Sequence, residues 1–159
     1  MSEENFVIRL GTPDDLDVVM EAAMMAVNEI GLCKPDPIKL LAEVWPSLHL
    51  DGGMVGIIGK PGGKPEGGVM LRISKMFYSD QEVLEERVVF VLPEFRSKKG
   101  GRARKLCEFS KKTAEELGIP LLIGVMSNVR TEAKVRMYER QFGKPTGAVF
   151  LYNMPPKEG

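Results

Sequence analysis

Residues Arg87 to Leu117 read RVVFVLPEFRSKKGGRARKLCEFSKKTAEEL, and three patterns follow one another in that run. Val88 to Leu92 is a short apolar strand, and Pro93 stops it because proline has no N–H to give to a ladder. A tight basic loop with two glycines follows, Arg96 to Gly101, and after it an amphipathic helix. Strand, glycine loop and helix together turn backbone N–H groups and the positive helix end toward an anion, usually a phosphate. Six of the ten residues from Arg96 to Lys105 are Lys or Arg and none is acidic. Such a loop suits a pyrophosphate or a nucleic acid, and the rest of the chain has to choose between them.

A chain of 159 residues is most simply one domain, residues 1–159, large enough for a real core. Its 22 basic and 22 acidic residues cancel. A protein built over its whole surface for nucleic acid carries a basic excess, so the balance argues against that class. Cys33 and Cys107 are far apart and match no metal-ligand or redox spacing, and His49 is the one histidine. No metal site is therefore expected, nor a Cys–His catalytic pair, and Cys107 reads as a small core residue. MSEENFVIRL has neither a basic lead-in nor an apolar core, and no run is long enough to span a membrane. A cytoplasmic setting is the expectation.

Phe6 to Leu10 reads as a first strand. Thr12-Pro13-Asp14-Asp15 starts a helix, with a threonine cap, proline in the first turn and acids against the dipole. The apolar stripe from Leu16 to Val27 runs until Gly31, and Asp36-Pro37 opens a second helix that Pro46 should limit near Trp45. Met54 to Ile58 and Val69 to Tyr78 are strands joined by the turn GKPGGKPEGG, and Ser79 to Glu86 is an acidic turn. After the central helix, Leu121 to Val125 is an apolar strand, Thr131 to Phe142 a helix ended by Gly143, and Ala148 to Tyr152 a last strand. The order is β-α-α-β-β-β-α-β-α-β, an α/β domain with a mixed sheet.

That order, with its central stretch, resembles the GNAT superfamily of acetyl-CoA-dependent N-acetyltransferases. The family motif closes the fourth strand with V-x-P, adds an aromatic-Arg pair, and opens a helix with Q/R-x-x-G-x-G/A. Val91-Leu92-Pro93 and Phe95-Arg96 match the first two parts. The third fits in two registers. Arg96 to Gly101 puts Lys99 where the family has its first glycine, and Lys98 to Ala103 fits better with two extra loop residues. A second likeness lies in Asn128 after the next strand and in Tyr138-Glu139-Arg140-Gln141-Phe142-Gly143, close to the family's Tyr-x-x-x-Gly-Phe. Phage and bacterial members with a short C-terminal end look most similar.

The resemblance implies acetyl-CoA as co-substrate and an amine acceptor. The loop of Arg96, Ser97, Lys98, Lys99, Gly100, Gly101, Arg102 and Ala103 would hold the pyrophosphate, largely through backbone N–H groups. Val89, Phe90 and Val91 would offer a free strand edge to the pantetheine amides, because the fourth and fifth strands splay apart in this family. Asn128 either orients the cofactor or ends its strand, and Arg96 either touches phosphate or steers it as a surface cation. Tyr138 would protonate the leaving thiolate, and Glu85 or Glu86 would take the amine's proton, with Tyr78 or water as alternatives. His49 and Trp45 read as packing residues. A partner subunit covering an open sheet edge would make a homodimer. Two other functions stay open: a CoA-binding module without catalysis, and a nucleic-acid-binding domain using residues 96–105.

Overall fold

Thr12 starts the first helix as its chemistry predicts. In the computed structural model, which describes residues 5–97, 101–126 and 131–154, the Asp15 carboxylate accepts the Thr12 N–H at 2.8 Å and Arg9 at 2.9 Å. A single 3-10 turn, Pro13–Asp15, leads into helix α1, Leu16–Ile30, which Gly31 ends in the left-handed region (φ 70°). Helix α2 is Pro37–Leu48, and the Asp36 side chain caps it by accepting from the Ile38 and Lys39 N–H groups. Pro46 lies inside α2 and does not limit it at Trp45. Its missing donor costs little this close to the helix end, where few ladder bonds remain to be lost.

Strands β1 (Val7–Leu10), β2 (Gly53–Gly59), β3 (Pro65–Lys75) and β4 (Glu82–Val91) form an antiparallel meander. Strand β5, Leu121–Ile123, adds parallel to β4 after helix α3, Gly101–Leu117, and helix α4 is Thr131–Phe142. The five strands stand in sheet order β1 to β5, so the α/β class and mixed sheet are as expected. Strand β3 starts inside the expected glycine turn and ends before Tyr78, at Pro65–Lys75 and not Val69 to Tyr78, and three further boundaries differ. Of the expected acidic turn Ser79 to Glu86, residues Glu82 to Glu86 are the first half of β4, because Val83 and Leu84 are buried in the sheet at 5% and 0% exposure. The apolar run after α3 pairs only to Ile123, not to Val125. Ala148 to Tyr152 forms no strand, and Phe150 and Tyr152 are 90% and 95% exposed.

The sheet is covered on both faces. On one, Ile58, Leu71 and Leu84 pack with Leu106 and Ala114 of α3. On the other, Val55, Ile57 and Met70 pack with Val44 and Leu48 of α2, and α1 closes over them. Each such fully buried aliphatic side chain stabilises the fold by about 1.5–3 kcal/mol. The two cores clamp β4 between them and fix which of its side chains faces which helix.

Candidate functional site

Among the described residues, strand β4 is paired along one side only over its second half. Val88 to Val91 face Met70 to Gly67 of β3, while β5 pairs with Leu84, Glu85 and Glu86 and stops. Glu86 opposes Leu71 and Val88 opposes Met70, so Arg87 is an extra residue in a bulge at the point where the strands part. The Leu92 N–H donates to the Glu66 carbonyl of β3 at 2.9 Å. By strand alternation the polar groups of Val89 and Val91 then point to the unpaired side. Arg96 already donates to the Val91 carbonyl at 2.7 Å, so of the expected edge at Val89–Val91 the polar groups of Val89 and the Val91 N–H remain on that side.

The gap brings two of the three catalytic candidates together. On helix α4 Lys134, Val135, Met137 and Tyr138 are half-buried, and the Tyr138 hydroxyl donates to Glu86 Oε1 at 2.8 Å. Burial pushes the Glu86 carboxyl up from its ordinary 4.5 to about 7, against the opposing pull of the Tyr138 bond. Tyr138 is raised above its ordinary 10, first by burial and then by the Glu86 charge, and keeps its proton. Cys107 lies beneath, 2% exposed, its thiol pushed to about 11 by burial first and Glu86 second, which makes it a core residue and no nucleophile.

Glu85 points to the opposite face, as its neighbour on a strand must. It accepts from Arg87 at 2.8 Å and from the Ser74 hydroxyl at 3.2 Å, and Arg87 also reaches Glu43 of α2 at 3.0 Å. The structure therefore does not bring Glu85 to Tyr138. Tyr78, the alternative base, stands in the β3–β4 turn, 74% exposed. Trp45 of α2 and His49, just past its end, meet edge to face at 4.3 Å, and Trp45 is half-exposed.

Two of the loop's cations serve the fold. Arg96 is not a free surface cation: its Nε donates to the Val91 carbonyl at 2.7 Å, its guanidinium binds Glu29 of α1 at 3.0 Å, and it lies over the Phe90 ring. Arg102 donates to buried Glu66 at 2.8 Å and to the Phe95 carbonyl at 3.0 Å, flanked by Phe6 and Phe95. What Arg102 and Ala103 leave for an anion is backbone, because Gly101 begins α3 and the first N–H groups of a helix lack acceptors within it. Ser97 is exposed beside that end. Lys98, Lys99, Gly100 and Asn128 lie outside the described residues.

Sequence reasoning passed over one feature altogether. On the face opposite Tyr138, a cavity of about 140 Å³ lies between α1 and the sheet, with Val18, Ala22 and Met25 on the helix side and Val88, Phe90 and Leu92 of β4 on the other. No periodicity announces it, since it is made where small residues of α1 fail to fill the space over the sheet. Among the described residues no group of His, Cys, Asp or Glu could hold a metal ion, and no helix is long and apolar enough to cross a membrane.

Neither a protein-family model nor a curated protein matches the sequence. Solved structures do. A possible acetyltransferase from Clostridium difficile 630 superposes with a TM-score of 0.70 at 19% identity, over 96% of this chain and 100% of that one. A GCN5-related N-acetyltransferase from Ralstonia eutropha JMP134 gives 0.68 at 19% identity, over 92% and 97%. The aminoglycoside N-acetyltransferase AAC(6')-Iy, solved with CoA, gives 0.70 at 17% identity, over 93% of each chain. At such identities the likeness is one of fold.

Proposed function

We propose, from a fold that is that of the GCN5-related N-acetyltransferases, that this chain moves an acetyl group from acetyl-CoA to a primary amine. The observation that carries the reading is the unpaired edge of β4 from Val88 to Val91, with Tyr138 and Glu86 hydrogen-bonded beside it. Acetyl-CoA supplies the activated acyl group, and its chemistry fits the groups present. Val89 and the Val91 N–H pair with the pantetheine amides as a sheet edge pairs with an added strand, the Val91 carbonyl being held by Arg96. The Gly101 end of α3 faces the pyrophosphate with N–H groups and a positive dipole. A backbone N–H at the bulge polarises the thioester carbonyl.

Protons close a circuit through the dyad. The amine nitrogen bonds to the acyl carbon, the carbon–sulfur bond breaks, and the amine's proton passes to Glu86. Tyr138 gives its own proton to the thiolate sulfur and takes the one Glu86 holds. Glu86, near 7, is matched to that exchange at neutral pH. The nucleic-acid reading loses ground because Arg96 and Arg102 are already committed to Glu29 and Glu66. Two unpaired thiols, Cys33 and Cys107, suit a reducing cytoplasmic setting.

An amine panel with acetyl-CoA, read as released thiol and acetylated product, tests the assignment: turnover with an amine is expected, and binding without turnover reduces the chain to a CoA-binding module. Gly101→Asp should weaken acetyl-CoA binding about tenfold or more, because it sets a carboxylate against the pyrophosphate. Unchanged affinity in a folded variant removes the loop from the site.

A homodimer is also part of this reading. Val149, Phe150 and Tyr152 are 71%, 90% and 95% exposed in one run, and among the described residues β5 has no strand on its outer edge, which a second copy would cover. Sedimentation should show a dimer that Phe150→Lys shifts to monomer. A wild type that stays monomeric at high concentration overturns that assembly.

A further inference from the structure

We infer that the cavity under α1 takes the apolar body of the acceptor, so that the preferred amine is an alkyl or aryl monoamine and not a polycation. The inference rests on the transferase reading and adds its substrate class. Position comes first. The Gly101 end of α3, Tyr138 and Glu86 occupy one face of β4, so an amine whose nitrogen reaches Glu86 through the gap beside Val88–Val91 has the other face open for its carbon body. On that face Val88, Phe90 and Leu92 border the cavity, and Val88 directly follows the bulged Arg87.

The chemistry of the walls comes second. Among the described residues that line the cavity, Glu21 is the one ionisable group, and the rest are aliphatic, aromatic, methionine, glycine or proline. Several ammonium groups could not all find acceptors there, and a desolvated charge without a partner is strongly disfavoured. A monoamine meets no such difficulty, for its single nitrogen stays at the gap while its carbon body leaves water. Val18 and Met25, 37% and 39% exposed, form an apolar rim through which it enters, and Ala22 keeps the space open.

The test is a series of propylamine, pentylamine, hexylamine and phenethylamine against spermidine and kanamycin, with acetyl-CoA fixed. kcat/KM should rise about fourfold per added methylene until the cavity is full. Ala22→Phe should flatten the series and raise the hexylamine KM about tenfold, with acetyl-CoA affinity unchanged. If Ala22→Phe does not fold, Met25→Glu at the exposed rim should slow hexylamine and speed spermidine. A flat wild-type series, or kanamycin outpacing hexylamine, overturns the acceptor class and leaves the transferase standing. Hexanoyl-CoA preferred over acetyl-CoA, with Ala22→Phe reversing the preference, also overturns it, because the cavity then belongs to the donor. No transfer to any amine, together with no acetyl-CoA binding, overturns both.

Discussion

Glu86→Gln lowers kcat on the order of 10²–10³-fold and removes the acid limb of the pH–rate profile. The size follows from the role: a base that takes the amine's proton and returns one through Tyr138 is replaced by an amide that can do neither. The limb follows from burial, which sets the Glu86 carboxyl at about 7, so wild-type activity should rise with pH up to that value and level off. The Gln side chain still accepts the Tyr138 hydroxyl through its oxygen, and the variant should keep the fold. Stability should move the opposite way. The folded carboxyl titrates at about 7 and the unfolded one near 4.5, so the native state holds its proton more tightly. That contribution is complete below the unfolded value and is lost as pH rises through the folded one, a difference of about 3 kcal/mol. Glu86→Gln removes the titration and should be more resistant to urea than wild type at pH 8 but not at pH 4. A variant with wild-type turnover sinks the base assignment, and equal urea midpoints at both pH values sink the buried carboxylate.

The sequence alone placed elements whose cause is local. Thr12 and Asp15 satisfy one another within a turn, and Gly31 and Gly143 end their helices by adopting positive φ. The parts that stayed hidden depend on distant neighbours. Glu82 to Glu86 reads as a charged turn until β3 and α3 exist to bury Val83 and Leu84. Arg96 and Arg102 look like phosphate ligands because Glu29 and Glu66, 67 and 36 residues away, show no signal of pairing with them. Ala148 to Tyr152 has strand composition, yet propensity builds no strand without an edge to join. The proposed catalytic pair was named residue by residue through resemblance. Its hydrogen bond, spanning 52 residues, and the choice of Glu86 over Glu85 came only with the register of β4.

Tyr138→Phe should cost about 10- to 100-fold in kcat while acetyl-CoA binds as before. In the proposed mechanism the hydroxyl hands a proton to the departing sulfur, and its own proton is secured by burial beside Glu86. A tyrosine that merely packed α4 against the sheet would lose nothing to phenylalanine, because the ring is retained. The pH profile separates the two cases further. The Tyr138 hydrogen bond is the influence that pulls Glu86 down against burial, so its removal must raise the Glu86 carboxyl above about 7. The acid limb of the variant should therefore shift to higher pH, and the remaining activity should be recovered in part by raising the pH. Glu86→Gln with Tyr138→Phe should be little worse than the single Glu86 change, since residues that act in one relay do not add. Full additivity of the two losses would mean that the carboxylate and the phenol act in separate steps, and a Phe variant at wild-type speed would take Tyr138 out of the chemistry.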